Sequence, residues 1–130
     1  MQFWAVIIAA AAAYAFGAVW YMGLSRAWLS AAGIVTGPDG RPLQRGARPF
    51  VIGAVLLILV AGMMRHIFQM AGLETFLEGL MGGFGLGAFI VLPWIAMNYV
   101  YAGRPRNLTL IDGGYAVIAC TIMGIVLGVF

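Results

Sequence analysis

Four long apolar runs dominate this sequence, and each is long enough to cross a lipid bilayer as a helix. The runs cover about residues 3–24, 49–70, 75–101 and 110–130. A helix needs about 20 apolar residues to span roughly 30 Å of hydrocarbon, whereas barrel strands alternate in polarity over about 10 residues. Because backbone in lipid must satisfy its own hydrogen bonds, we predict a single all-α membrane domain, a bundle of four transmembrane helices.

The composition excludes a soluble domain. Of the 130 residues, 64% are hydrophobic and only 8% are charged, which is more apolar surface than a chain of this size can bury. The formal charge of +3 comes from arginines without a continuous basic face. We therefore predict membrane lipids as partners, and no nucleic acid.

The arginines predict how the chain is oriented. Six of the seven lie in the first and third connectors between the apolar runs: Arg26, Arg41, Arg45, Arg48, Arg104 and Arg106. Basic residues in short connectors favour the cytoplasmic side of a membrane. We therefore expect both termini outside the cytoplasm. The first connector should begin with a short helix at the cytoplasmic interface, over residues 26–34, before the turn formers of residues 36–42.

Small residues recur every four positions in three of the four runs. Helices in lipid associate through close backbone approach, so such stripes indicate contact faces. The stripes are Ala9, Ala13 and Gly17, then Gly79, Gly83 and Gly87, then Ala116, Cys120, Gly124 and Gly128. They predict either packing within the bundle or one stripe left free for another protein. The second interpretation favours a homo-oligomer or a subunit of a larger membrane assembly.

Pro93 interrupts the third apolar run. Proline has no backbone N–H and clashes with the preceding turn, so it should kink this helix and leave the carbonyl of Phe89 without its usual donor.

Two charged residues flank the predicted hairpin between the second and third runs. Arg65 and Glu78 lie about equally far from the turn, so they should reach the same depth and form an ion pair. The alternative is a site for an anionic head group or substrate built from Arg65, His66 and Gln69. A lone histidine cannot supply both axial ligands of a haem within one chain, and no metal-ligand spacing is present, so we predict no metal and no cofactor.

Polar residues also lie where the third run ends and the fourth begins. Asp112 suits the N-terminus of a helix and is expected to pair with Arg104 or Arg106. The functional alternative is a polar pocket on the cytoplasmic side, formed by Asn98, Asp112 and Tyr115.

Two stretches together resemble a known family. They are Gly17-Ala-Val-Trp-Tyr-Met-Gly-Leu-Ser-Arg-Ala-Trp28 and Gly103-Arg-Pro-Arg-Asn-Leu-Thr-Leu-Ile-Asp-Gly-Gly-Tyr115. Their order and spacing resemble the small bacterial four-helix membrane proteins grouped as domain-of-unknown-function family seventeen sixty-one. The resemblance covers nearly the whole chain. It implies a four-helix topology in a bacterial cytoplasmic (inner) membrane, and it carries over no catalytic residue.

Three functions compete on this evidence. The first is a non-catalytic membrane protein that acts through helix–helix packing, and it is favoured by the small-residue stripes and by helix centres free of charge. The second is binding or transport of a small lipophilic or lipid-like ligand by the glycine-rich third helix. The third is an enzyme at the cytoplasmic interface. The sequence contains no nucleophile motif or phosphate loop, so we predict no catalytic residues.

Overall fold

The computed structural model describes residues 3–42 and 46–130, and this part of the chain is helical apart from its connectors. The helices are α1 (Phe3–Gly23), α2 (Ser25–Ala32), α3 (Arg48–Ala71), α4 (Phe76–Leu86), a π-helical turn (Gly87–Val91), α5 (Leu92–Tyr101) and α6 (Arg106–Val129). An isolated β-bridge between Thr36 and Pro42 closes the turn of the first connector. Arg45, one of the connector arginines, lies outside the described residues.

Within the described residues, four helices are long and apolar enough to cross a membrane. They are α1, α3, the continuous helix Phe76–Tyr101, which we call the third span, and α6. The predicted all-α, four-span fold is confirmed. The last helix begins at Arg106 and not near residue 110. Pro105 has an extended backbone (φ −67°, ψ 152°), so the helix begins directly after it, with polar residues in its first turn.

Three helices end in the same way, at a glycine in the left-handed conformation. Gly33, Gly72 and Gly103 have φ of 71°, 73° and 67°. At the end of α3, the Gly72 N–H donates to Gln69 and the Leu73 N–H donates to Phe68. This is the Schellman pattern, which satisfies carbonyls that the helix leaves unpaired. It explains why short connectors suffice to reverse the chain between spans.

Thr75 and Glu78 define the start of α4. The Thr75 hydroxyl accepts a hydrogen bond of 3.2 Å from the Glu78 N–H, and Oε1 of Glu78 accepts one of 3.2 Å from the Glu74 N–H. The Glu78 N–H in the first turn and the Glu74 N–H, which precedes the helix, are both satisfied by this variant of the capping box. The Glu78 carboxylate therefore has a local role in the helix start.

Helix α6 lies at the centre of the bundle. It contacts α1, α2, α3, α4, the π turn and α5. In its most apolar stretch 44% of residues are buried, against 11% in α3 and 11% in the third span. The described chain is therefore built around its last helix, with α3 and the third span at the perimeter.

The third span and α6 meet along a seam of glycines. A Cβ at Gly79 would lie 3.0 Å from the Cα of Gly128, one at Gly83 would lie 3.0 Å from the Cα of Gly124, and one at Gly87 would lie 2.9 Å from the Cα of Val117. At Gly79 and Gly83 the residue opposite is also a glycine, whereas at Gly87 the glycine alone admits the backbone of α6 at Val117. Both glycine stripes are thus used inside the bundle, where dispersion and close backbone contact hold the helices together.

The π turn lies just before Pro93. At its end the Leu92 N–H donates to the carbonyl of Gly87, five residues back. A π turn widens the helix by one residue and changes which face the following turns present. The π turn ends two residues before Pro93 and the third span continues to Tyr101, while the kink at Pro93 and the unpaired carbonyl of Phe89 stay predictions.

Candidate functional site

One carboxylate gathers side chains from three other helices. Asp112, in the second turn of α6, accepts hydrogen bonds from the Tyr21 hydroxyl (2.6 Å), from Nε1 of Trp28 (3.0 Å) and from the Tyr99 hydroxyl (2.5 Å). These donors belong to α1, α2 and α5. We call these four residues the Asp112 cluster, and it is part-buried.

Local geometry explains why the donors converge. Trp28 follows Tyr21 by seven residues. Leu24, between α1 and α2, has a non-helical backbone (φ −111°, ψ 17°), but its N–H donates to the carbonyl of Trp20 and its carbonyl accepts from the backbone N–H of Trp28, so hydrogen bonds of helical spacing span the junction. Seven residues are about two helical turns, which returns both rings to one face. Their rings make an edge contact with centroids 5.9 Å apart. Tyr99 lies in the last turns of α5, next to the start of α6.

A second layer of aromatic contacts supports the cluster. Nε1 of Trp20 donates to the carbonyl of Ile111 at 3.0 Å, and the Tyr115 hydroxyl donates to the carbonyl of Ala13 at 3.0 Å. The Tyr115 ring lies 5.4 Å from that of Tyr21, in an edge-on arrangement. Such aromatic pairs contribute about 0.5–1.5 kcal/mol beyond the apolar area that they bury. The α1–α6 contact is therefore fixed by polar and aromatic groups at this end.

Small residues make room for these rings. A Cβ at Gly17 would lie 2.9 Å from the Tyr115 ring, and a Cβ at Gly114 would lie 3.0 Å from Cζ2 of Trp20. Ala13, which precedes Gly17 by one turn, is fully buried and supplies the carbonyl that Tyr115 binds. The predicted packing positions Ala13 and Gly17 thus lie against α6.

The partners of Asp112 differ from those that the sequence predicted. No arginine contacts Asp112 in the described structure, and the expected pairing with Arg104 or Arg106 is wrong. A guanidinium nitrogen of Arg104 instead donates to the carbonyl of Ala32 at the end of α2. The predicted pocket of Asn98, Asp112 and Tyr115 does not assemble either, because Asn98 is exposed and Tyr115 bonds to α1. Tyr99, its neighbour in sequence, is the residue that reaches Asp112.

The chemical capacity of the cluster follows from its hydrogen bonds. An ionised carboxylate has about four acceptor sites, and three are taken by neutral donors. Hydrogen bonds to a charged acceptor are about twice as strong as those between neutral groups. An arrangement of this kind holds helix ends in register, and a carboxylate so occupied is poorly placed to act as a base.

The opposite end of the bundle has a different polar group. Nη1 of Arg65 donates to the carbonyl of Leu127 at 2.8 Å, and Nη2 donates to the carbonyl of Phe130 at 3.3 Å. The predicted ion pair of Arg65 with Glu78 is therefore wrong. The physical reason is the C-terminal end of α6, whose unpaired carbonyls and partial negative charge attract a cation.

The alternative site predicted around Arg65 is only partly assembled. Arg65 and Gln69 line the same polar pocket of about 290 Å³, between α3 and the last residues of α6. His66 is exposed and does not line this pocket. Among the residues that the structure describes, no three His, Cys, Asp or Glu side chains form a group that could hold a metal ion.

An apolar groove of about 310 Å³ opens between α1 and α3. Its walls are mostly alanine, and the Tyr14 hydroxyl at one wall donates to the carbonyl of Phe50 at 3.3 Å. The lining residues are Ile7, Ala10, Ala11, Tyr14, Ala15, Ala54 and Ile58. Unlike the glycine seam, this small-residue surface is not filled by another part of the described chain.

Comparison with known protein families gives a match over nearly the whole chain. The family model described as "Protein of unknown function (DUF1761)" matches residues 4–128, and the chain belongs to this family. No curated protein and no solved structure matches the chain. The resemblance inferred from the two sequence stretches is thereby confirmed.

Proposed function

We propose that this member of the family is a non-catalytic integral membrane protein that acts through helix–helix packing, as a homo-oligomer whose copies meet at the α1–α3 groove. The observation that carries this proposal is the groove itself. The small-residue stripes of the third span and of α6 pack against each other so closely that their backbones are in contact. The alanine-lined groove is left open. Small residues on both walls allow another helix to approach closely.

A second copy suits the groove because the chain also carries a matching ridge. Val51, Val55, Leu59 and Met63 recur every four residues along α3 and are 59%, 52%, 64% and 56% exposed. Such i±4 rows are the ridges that pack into grooves between helices. Ala54 and Ile58 of the same helix form a wall of the groove, so ridge and groove are neighbours. Two copies related by a two-fold axis could each insert the ridge of α3 into the groove of the other.

Filling the groove tests this proposal. Ala15→Leu adds bulk at the groove wall, whereas Ala18→Leu makes the same change at an exposed position of α1 outside the groove. We expect wild type and Ala18→Leu to be dimers in lipid nanodiscs or by single-molecule photobleaching in liposomes. Ala15→Leu should reduce the dimer fraction about tenfold, since overpacking costs 1–3 kcal/mol. A monomeric wild type, or a dimer unaffected by Ala15→Leu, would sink the proposal.

Cysteine cross-linking gives an independent test. Ala54→Cys places a thiol in the groove, and Gly85→Cys places one where no atom of the described chain lies within 4 Å of the Cβ position. In a Cys120→Ala background, we expect oxidation to cross-link Ala54→Cys in native membranes and to leave Gly85→Cys monomeric. A cross-link to a different, identified membrane protein would instead indicate an accessory subunit of a larger assembly.

The second candidate function is binding of a small lipophilic or lipid-like ligand in the same groove. Its support is that the groove is apolar and that its volume is at the lower end of the roughly 300–1,000 Å³ of ligand sites. An acyl chain would meet both requirements. A monomeric protein that carries a stoichiometric lipophilic molecule, detected by mass spectrometry and lost in Ala15→Leu, would favour this function over the first.

We further propose that the chain lies in a bacterial cytoplasmic membrane with both termini outside the cytoplasm. The support is the uneven distribution of arginines. Arg26 lies in α2, Arg48 and Arg106 begin α3 and α6, and Arg41 and Arg104 lie in the connectors that lead into those two helices. Basic residues on short connectors favour the cytoplasmic side. Reporter fusions at residues 40 and 72 should report cytoplasmic and external locations respectively. The reverse result would refute this orientation.

A further inference from the structure

The polar pocket beside Arg65 has the composition of a binding site. It lies between α3, the connector before α4 and the end of α6. Its polar walls come from Arg65, Gln69, Glu74 and residues 128–130, and its apolar walls come from Phe68, Leu73 and Leu127. A cation, an anion and an amide thus surround one space of about 290 Å³.

Arg65 has hydrogen-bonding capacity to spare in this pocket. Its guanidinium has five N–H groups, of which the two bonds to Leu127 and Phe130 use two. Nε is buried and has no hydrogen-bond partner in the described structure. A buried donor without an acceptor is destabilising, and native proteins rarely leave one. An oxyanion in the pocket would accept from the Nη hydrogens that Leu127 and Phe130 leave free, and a rotation of the guanidinium toward it would also give Nε an acceptor.

Glu74 provides the opposite charge. It lies in the exposed connector between α3 and α4 and lines the same pocket. Its backbone N–H donates to Glu78, but its carboxylate contacts no donor in the part of the chain that the structure describes. A ligand with one negative group for Arg65 and one positive group for Glu74 would therefore satisfy both residues, whereas a purely anionic ligand would meet repulsion from Glu74.

The depth of the pocket indicates the source of such a ligand. Arg65 precedes the last residue of α3 by six positions, which is about 9 Å along the helix axis. Because α3 has 24 residues and is about 36 Å long, a centred α3 extends about 3 Å beyond each face of the roughly 30 Å hydrocarbon core, which places the Arg65 backbone about 6 Å inside the core. Arginine side chains extend from such positions toward the interface, and the guanidinium of Arg65 reaches the carbonyl of Phe130 at the end of α6. With Glu74 beyond the end of α3, the pocket therefore extends from the start of the acyl chains to the head groups.

We propose that this pocket binds the head group of a zwitterionic phospholipid with a primary amine, its phosphate on Arg65 and its ammonium on Glu74. A primary ammonium donates hydrogen bonds to a carboxylate, and a trimethylammonium cannot. The pocket should therefore prefer phosphatidylethanolamine to phosphatidylcholine through Glu74, and should need Arg65 for both lipids. This site is separate from the α1–α3 groove, so it stands or falls independently of the proposed function.

Native mass spectrometry of the full chain tests the two contacts separately. The protein is delipidated in mild detergent and titrated with phosphatidylethanolamine, phosphatidylcholine or phosphatidylglycerol. We expect wild type to retain phosphatidylethanolamine about tenfold better than the other two, the size of one charge-assisted hydrogen bond. Glu74→Gln should make retention of phosphatidylethanolamine and phosphatidylcholine equal. Arg65→Gln should lower both about tenfold, and Arg41→Gln, in the first connector, should change neither.

Glu74→Gln keeps the test valid if Arg65→Gln fails to fold, because Glu74 is exposed and its carboxylate makes no hydrogen bond within the described residues. Circular dichroism confirms that each variant remains helical. Soluble phosphoethanolamine is added as a competitor to identify the source of the head group. Displacement of lipid by millimolar phosphoethanolamine would support the same chemistry with a soluble ligand, and no displacement would support the lipid. Equal retention of all three lipids by wild type, or a preference that survives Glu74→Gln, would overturn the proposal.

Discussion

Tyr21 and Asp112 are 91 residues apart in the sequence, and the Tyr21 hydroxyl donates a hydrogen bond of 2.6 Å to the Asp112 carboxylate. The same carboxylate accepts from Trp28 and Tyr99, so one acidic side chain ties the ends of α1, α2 and α5 to the start of α6. Away from this cluster, α1 and α6 pack mainly through small and apolar residues. Close packing alone does not fix how the helices rotate or slide against each other, and the directional hydrogen bonds to Asp112 fix both at this end of the bundle.

Tyr99 and Tyr101 offer a matched test of the hydrogen bonds in the cluster. Tyr99 donates to Asp112, whereas Tyr101, two residues later on the same helix, is 86% exposed. Tyr99→Phe should lower the free energy of unfolding in detergent by about 1.5 kcal/mol, because it removes a hydrogen bond to a charged acceptor. Tyr101→Phe removes only an exposed hydroxyl and should change it by less than about 0.5 kcal/mol. Equal effects of the two substitutions would contradict the assignment.

The loss of stability on substituting Asp112 should depend on how many hydrogen-bond acceptor sites the new side chain keeps. Asp112→Asn keeps one carbonyl oxygen, which can accept from two donors, while Asp112→Ala leaves all three donors without their acceptor. We expect Asp112→Ala to be the more destabilising of the two, by about 2 kcal/mol. The measurement is the melting temperature followed by Trp fluorescence, since Trp28 is one of the donors. If the two variants have the same melting temperature, the carboxylate does not organise the cluster.

The membrane-spanning architecture could be predicted from the sequence because apolar run length is a local property. The partners of Asp112 could not, because they depend on how distant helices rotate against each other. In the sequence, Trp20, Tyr21 and Trp28 stand out only as part of the stretch that carries the family resemblance. The spacing of seven between Tyr21 and Trp28 was the available signal that both rings face one direction.

The two wrong ion pairs share a physical cause. Arg65 and Arg104 were each predicted to pair with a carboxylate, and each instead donates to carbonyls at the C-terminal end of a helix. Helix ends carry unpaired carbonyls and a partial negative charge, so they compete with acidic side chains for a cation. A sequence shows where the acidic residues are, but it does not show which helix end will lie beside an arginine.

The glycine seam predicts opposite outcomes for two glycines of the third span. Gly83 faces the backbone of α6, where a Cβ would lie 3.0 Å from the Cα of Gly124, while a Cβ at Gly85 meets no atom within 4 Å. Gly83→Ala should destabilise the bundle by about 3 kcal/mol, because two backbones must separate. Gly85→Ala should be neutral or stabilising by up to about 1 kcal/mol, from helix propensity alone. Thermal unfolding of the two variants in the same detergent measures the difference, and a destabilising Gly85→Ala would contradict the assigned seam.

Substitutions at Gly17 and Tyr115 should have strongly coupled effects on the free energy of unfolding, because the Tyr115 ring occupies the space that a side chain at position 17 would need. A Cβ at Gly17 would lie 2.9 Å from both the Tyr115 hydroxyl oxygen and its Cε1 atom, so Gly17→Ala must displace the ring and break its hydrogen bond to Ala13. Tyr115→Phe loses the same hydrogen bond and also shortens the side chain. The two substitutions remove one interaction, so the double variant should be more stable than the sum of the single effects predicts, by about 1 kcal/mol. Gly23→Ala, on the same helix with no atom within 4 Å of the Cβ position, is the control and should add independently to Tyr115→Phe. Additive effects of Gly17→Ala and Tyr115→Phe would mean that α1 and α6 do not meet through this pair of residues.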